Sequence, residues 1–313
     1  MSVLTNFITH TLHGVQYGFI LFLIASGLTI ILGILDVLNL AHGELYALGA
    51  YVASSVLGYV VGLVPPPTDA ASQAVFVAVV LGGAVLTAAV LVPVGAAIES
   101  VLLRPIYDRN EVYQLVLTFA LLLIIKDAIK FGWGPTPVRL QSVYSGINGI
   151  PAASLVGLNY PTYNLVIIAV GAVVVVGLFY FFNRTKTGRI IRATAIDREM
   201  ATAIGVSTDR TFTLVFAVGA FFAGFAGAMA LPPTNATLEM GANPLVLSFV
   251  VIVIGGLGSL RGAFVAALVV GILSKWATWQ YPPAELAAPF AIMAVILLVK
   301  PDGLFGTWGE MDA

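Results

Sequence analysis

Four polar side chains stand close together in an otherwise apolar stretch: Asp36, Asn39, His42 and Glu44, within Ile34-Leu-Asp-Val-Leu-Asn-Leu-Ala-His-Gly-Glu44. Two carboxylates and an imidazole suit proton transfer or ion pairing, and charges at membrane depth usually face a protein interior or a wet cavity. A catalytic group of Asp36, His42 and Glu44 would also need a nucleophile or a second cluster, and neither is present. His42 reads better as a hydrogen-bonded structural residue than as a metal ligand. The other histidines, His10 and His13, show no ligand spacing with it, and the chain has no cysteine for thiolate or disulfide chemistry.

A second break, Gly255-Gly-Leu-Gly-Ser-Leu-Arg-Gly262, is rich in glycine. Its Gly256-x-Gly258-x-x-x-Gly262 spacing departs from a dinucleotide loop and lacks a βαβ setting. No Gly-x4-Gly-Lys-Ser/Thr occurs, so any ATPase that drives this chain is another polypeptide. Each break lies between apolar halves. Read one way, Asp36–Glu44 is a plain turn whose Asn39 and Glu44 satisfy helix ends. Read the other way, both are helix interruptions, and paired interruptions in two halves point to a transport pathway at an inverted-repeat interface.

The elements that position these residues are set by composition. Hydrophobic residues make up 59% of the 313 and charged ones 9%, against roughly 25% charged in a soluble domain. Such a chain cannot cover a water-facing surface of its size, and nucleic-acid binding is excluded with it. A helix needs about 20 apolar residues to cross the hydrocarbon core. Apolar spans run Gly14–Leu35, Gly43–Gly62, Ala74–Leu103, Val112–Gly132, Thr162–Phe182, Thr211–Leu231, Asn243–Leu260, Gly262–Gln280 and Ala284–Lys300. The first is longer than a signal-peptide core and has no basic residue before it, so it reads as a retained span. The expected fold is all-α: a polytopic integral membrane helical bundle of 8–10 spans, with two interrupted helices and an inverted repeat, in one domain over residues 1–313.

Six of the 14 Lys and Arg residues fall in one polar island, residues 183–210. Positive charge is retained on the cytoplasmic side, so the island faces inward. Alternation then puts Arg104–Asn110 and the end after Lys300 inside, with the N-terminus, Pro65–Ala71 and Trp133–Pro161 outside. Lys126 and Lys130 near an outer end snorkel or pair with Asp127. Within the island Ala193, Ile196, Met200, Ala203 and Ile204 share one face of a short amphipathic helix, and Ser207, Thr208 and Asp209 offer N-caps for the next span. That helix either lies flat in the lipid interface or inserts into a cytoplasmic motor. Gly219, Ala223 and Gly227, and Ala263, Ala267 and Gly271, form small-residue ridges for close helix packing. Pro93 and Gly95 mark a kink or a packing notch.

Several motifs in order resemble one family. Gly27-Leu-Thr-Ile-Ile-Leu-Gly33, Asn39-Leu-Ala-His-Gly-Glu44 and Gly49-Ala-Tyr51 are followed by Arg104-Pro105. Gly188-Arg189-x-x-Arg192-Ala193, Asp197, Ala201 and Gly205-Val206 come next, then Ala220-Phe-Phe-Ala-Gly-x-Ala-Gly227 and Gly255–Gly262. Together they resemble the branched-chain amino acid ABC transporter permeases, of the LivH type rather than its LivM partner. The resemblance covers nearly the whole chain; its departures are modest, a short N-terminal stretch and Val37-Leu38-Asn39-Leu40, which stands where relatives vary. It implies a subunit of the cell inner membrane that pairs with a second permease, two cytoplasmic ATPases carrying ATP and Mg, and an external solute-binding protein. It implies that Gly188, Arg192, Ala193, Ile196, Asp197, Met200, Ala201, Ile204 and Gly205 belong to the loop that contacts an ATPase. The pathway would then lie near Asn39, His42, Gly43, Glu44, Gly255, Gly256, Gly258 and Gly262. Related permeases handle urea, short amides and other amino acids. Outside the family, a stand-alone channel or secondary transporter using Asp36, His42 or Glu44 is the alternative; a membrane enzyme lacks its residues.

Overall fold

The computed structural model describes residues 3–149 and 160–305. Part of the expected outer segment Trp133–Pro161, and the last residues of the C-terminal end, lie outside the described residues. The elements are helices joined by short turns: α1 (Val3–Leu35), α2 (His42–Val61), α3 (Ala70–Ala97), α4 (Glu111–Trp133), α5 (Gln141–Asn148), α6 (Thr162–Arg184), α7 (Lys186–Ile196), α8 (Arg198–Ala203), α9 (Thr208–Ala230), α10 (Ala242–Gly255), α11 (Leu260–Gln280) and α12 (Ala287–Val299). Two-residue strands β1 (Val138–Arg139) and β2 (Asn235–Ala236) pair antiparallel. Each expected span coincides with a helix. Among the described residues seven are long and apolar enough to cross a membrane, with α10 and α12 shorter.

Helix boundaries moved where local chemistry outweighs hydropathy. The first helix starts at Val3 rather than Gly14, because Thr9 and Thr11 donate their hydroxyls to the carbonyls of Thr5 and Phe7, and rings of α11 pack against Phe7 and His10. Helix α3 opens on a capping box between Asp69 and Ser72. The Ser72 backbone N–H and hydroxyl hold the Asp69 carboxyl below its usual range. The far end of α3 runs into a π-helical turn, Ile98–Leu103, and a 3-10 turn, Arg104–Ile106. Gly95 is the packing notch: a Cβ there would lie 2.5 Å from that of Ala220.

Contacts fix the run of each helix. Arg104 reaches Asp209, Gly33 touches Gly258, and Gly303 touches Gly256, so these turns share the island's end of the bundle. From that end, α1 runs toward the island, α2 away, α3 toward and α4 away. The second half inverts this order: α9 runs away from the island, α10 toward it, α11 away and α12 toward. The packing repeats with the same inversion. Helix α1 lies along α11 as α9 lies along α3; α2 rests on α9, α3 and α4, whereas α10 rests on α1, α11 and α12. This is the expected inverted repeat.

The small-residue ridges hold the two halves together within the chain. Gly219 meets Gly27 and Ile31, Gly227 meets the Tyr46 and Ala50 backbones, and Gly271 meets Gly14 and Gly18. Backbones that close leave no room for a side chain, and dispersion replaces the hydrophobic drive that lipid does not supply. Gly49→Val, facing the Gly224 backbone, should destabilise by about 1–3 kcal/mol or more through overpacking. Gly58→Ala, which meets open space, should be neutral or slightly stabilising. Thermal unfolding of the two purified variants in detergent checks the contrast.

Candidate functional site

The polar residues around His42 are brought together and fully enclosed. Asn39 and His42 are 0% exposed and Glu44 is 4% exposed. The chain leaves α1 at Leu35, passes Asp36 in a left-handed conformation (φ 54°), and runs back beside α1 before α2 begins. His42 donates from Nε2 to the carbonyl of Ile24 at 3.0 Å, and its ring faces Gly27. Gly27 lies eight residues before Leu35, so the chain has re-entered the bundle by about 12 Å. Asn39 closes the turn, its Oδ1 accepting from the Ala41 N–H and its carbonyl from the His42 N–H. Thr118 of α4 donates to the Leu38 carbonyl. The segment is therefore a re-entrant link, not a plain surface turn.

Its counterpart is not Gly255–Gly262. A Cβ on Gly43 would strike the Gly241 carbonyl, and one on Gly241 would strike that of Gly43. The start of α2 thus abuts the start of α10, and the second re-entrant link is residues 231–241. Gly255, Gly256, Gly258 and Gly262 instead form the α10–α11 turn at the island end. Gly255 backs onto Gly262, and Gly256 (φ 95°) and Gly258 (φ 75°) take conformations that favour glycine. Ser259 caps α11 by accepting from the Gly262 N–H. The structure therefore joins Asn39, His42, Gly43 and Glu44 in one place and sets the four later glycines apart from them.

At the centre three polar atoms have no partner among the described residues: Asn39 Nδ2, His42 Nδ1 and one Glu44 oxygen. Buried groups left open in this way cost free energy, so the centre is poised to bond something else. Lys126 pairs with Glu239 of the second link at 2.6 Å, rather than with Asp127, and that pair lies within Coulombic reach of Glu44. Among the described residues no cluster of three or more metal-ligating side chains occurs.

The island forms two helices where one amphipathic helix was expected. Asp197 interrupts it because its carboxylate caps α8, accepting from the Met200 N–H at 2.8 Å. Gly188 and Ala201 are buried against the bundle, whereas Ala193, Ile196, Met200 and Ile204 are exposed, Ile196 by 79%. Arg192 donates to Asn183 at 3.1 Å. Gly205 (φ 90°) closes α8: its N–H bonds the Thr202 carbonyl and the Val206 N–H bonds that of Ala201, a Schellman cap that turns the chain into α9. Ser207 holds the N-cap position of α9 without a side-chain bond.

One residue escaped the sequence reading. Glu99, 0% exposed, accepts from Arg104 at 2.9 Å, from Thr213 at 2.6 Å and from Tyr107 at 3.1 Å. Burial, with the Glu99 charge beside it, pushes the Tyr107 phenol up, which keeps it a donor. Tyr107 stacks edge-on against Phe212, and the Arg198 guanidinium sits 4.8 Å above the same ring. The clamp thus links the end of α3, the start of α9 and the island helix α8. A lone carboxylate inside an apolar span was its available signal.

A polytopic helical bundle with central re-entrant links and a basic loop is the architecture of a membrane permease. Residues 11–299 match the family described as "Branched-chain amino acid transport system / permease component", and the chain belongs to that family. It is 28% identical to the high-affinity branched-chain amino acid transport system permease protein LivH of Salmonella typhimurium, over 96% of each chain. It is 25% identical to the permease protein BraD of Pseudomonas aeruginosa, over 98% of each. A fructose import permease protein, FruF of Bifidobacterium longum, is 29% identical over 42% of this chain and 39% of its own. No solved structure matches.

Arg104→Ala leaves Glu99 buried without its cation and should cost about 3 kcal/mol. Thr213→Val removes one hydrogen bond and should cost about 1–2 kcal/mol. Thermal unfolding of both single variants and the double variant should show a double loss smaller than the sum, since both losses fall on one carboxylate.

Proposed function

We propose that this chain is one of two membrane subunits in an ATP-driven importer of branched-chain amino acids in the cell inner membrane. The observation that carries this reading is the likeness to LivH, which extends over 96% of both chains. The likeness to the fructose permease stops at under half of each. In this reading residues 1–313 form one permease domain, paired with a second permease of the LivM type. An external solute-binding protein delivers the amino acid, and two cytoplasmic ATPases bind ATP and Mg. This chain performs no covalent chemistry.

The island, 183–210, faces the cytoplasm; its six Lys and Arg residues support that orientation. Ile196, Met200 and Ile204 form the exposed apolar face that an ATPase grips, with Ala193 and Arg192 beside it. Gly188 and Ala201 seat α7 and α8 on the bundle, and Asp197 and Gly205 cap α8. A push on α8 passes through Arg198 to Phe212, then to the Glu99 clamp and so to α9 and α3. Helices α1 and α2 follow, because α9 is packed against both. The amino acid passes beside Asn39, His42, Gly43 and Glu44, and the open atoms of Asn39, His42 and Glu44 take up its charged groups as they leave water. The turn Gly255, Gly256, Gly258 and Gly262 closes the island end of the path.

In the complete transporter, Met200→Asp and Ile196→Asp should each cut leucine-stimulated ATP hydrolysis at least tenfold while membrane insertion stays normal. Unaltered coupling in both would return α7 and α8 to a purely interfacial role. Gly43→Leu should abolish uptake. In liposomes this chain alone should transport nothing; uptake that a protonophore abolishes would instead identify a secondary transporter.

A further inference from the structure

The inverted repeat sets two corners of the bundle in correspondence, and they are filled differently. At the island end, the start of α9 meets the end of α3, and the Arg104 cation there is neutralised by the chain's own buried carboxylate, Glu99. At the opposite end, the start of α1 meets the end of α11. That corner holds a cavity of about 510 Å³ instead, a size typical of small-ligand sites.

The corner keeps a cation without an ion pair; a carboxylate, Glu285, lies within Coulombic reach of Tyr17 but does not line the cavity. Lys275 lines the cavity, its ammonium 4.7 Å above the Tyr17 ring, and it has no ion pair among the described residues. His10 and His13 stand beside it, and no Asp or Glu lines the walls. Trp279, stacked on His10 at 4.9 Å, supplies an apolar face together with Ile20. A second observation points to a ligand. Tyr46 is only 5% exposed and lines the cavity from α2, yet its hydroxyl has no hydrogen-bond partner among the described residues. Asn164, 6% exposed, lines the cavity from α6 with its side-chain amide 3.5 Å from His13 Nδ1. The Tyr46 hydroxyl reaches the cavity, where it can donate to whatever occupies that space.

We propose that this cavity is a binding site for the carboxylate of a small aliphatic amino acid, which takes the place that Glu99 holds in the corresponding corner. The carboxylate accepts from Lys275, with Tyr46 and an imidazole completing its bonds, and the side chain lies against Trp279 and Ile20. Charge-assisted bonds of this kind are stronger than neutral ones. Tyr46 is one turn along α2 from His42, so the site opens directly above the central polar group. The proposal rests on the importer reading for its solute and adds a place where this chain receives it.

Equilibrium binding of radiolabelled leucine to the complete transporter in nanodiscs, without binding protein or ATP, tests the site. Wild type should bind leucine at millimolar concentration. 4-Methylpentanoate, which keeps the carboxylate and the aliphatic chain, should compete, and leucinamide should not. Lys275→Gln should weaken binding at least tenfold. Tyr46→Phe, which removes only an unpartnered hydroxyl, should weaken it three- to tenfold with unchanged thermal stability. Absence of wild-type binding, equal competition by leucinamide, or variants within twofold of wild type would each overturn the proposal. ATP-driven leucine uptake by the wild-type transporter is measured alongside: its absence sinks the importer reading, and its presence with unaffected variants sinks only the cavity.

Discussion

A helix that begins inside an apolar bundle exposes backbone N–H groups where water cannot reach them, and each one left open costs several kcal/mol. Two helices of this chain begin that way, α2 at His42 and α10 at Ala242, and they begin against each other. The contact admits only glycine on both sides, because any Cβ at Gly43 or Gly241 meets the opposing carbonyl. Asn39 folds the link tightly enough for α2 to start there, and His42 anchors it to the Ile24 carbonyl. The long helices α1 and α9 then serve as the two walls between which this junction is held, and their glycines set how closely those walls approach.

From that junction the rest of the arrangement follows. Two helix starts inside the bundle, pointing in opposite directions, mark the centre of the inverted repeat, and the repeat makes each corner comparable with another. The corner over the island is locked by Glu99, Arg104, Thr213 and Tyr107, so a force on α8 meets a rigid connection into α9 and α3. The opposite corner is open, polar and aromatic. A stiff corner at the island end and a hollow one at the opposite end suit the proposed importer, driven at one end and receiving its solute at the other.

Much of this was legible in the residues. Asn39, His42 and Glu44 stand out because polar groups in an apolar run need a structural reason, and the ridges at Gly219 and Gly271 announce close packing by spacing alone. Depth was not legible. The glycines at Gly255–Gly262 look like an interruption, but positive φ at Gly256 and Gly258 serves a tight turn, and a local turn has the same composition as a mid-membrane break. The true second link, residues 231–241, carries Thr, Asn and Glu and reads as an ordinary surface loop. Only its contact with Gly43, some two hundred positions away, reveals where it lies. Glu99 was missed for the same reason: its partner Thr213 is distant in sequence. The division of the island at Asp197 was a local signal, an acidic N-cap, hidden by an apolar face that runs continuously from Ala193 to Ile204.

The central claim is that α10 starts inside the bundle beside Leu28, about two turns from the island end of α1. Leu28, Leu245 and Ile252 pack as one apolar cluster, and the chain has no cysteine of its own. Disulfide trapping in membranes is therefore the most direct measurement. Leu28→Cys with Leu245→Cys should crosslink within the chain under mild oxidation, and Ile20→Cys with Leu245→Cys should not. A crosslink at Ile20 in place of Leu28 would move the start of α10 about two turns further from the island end of α1 and contradict the account.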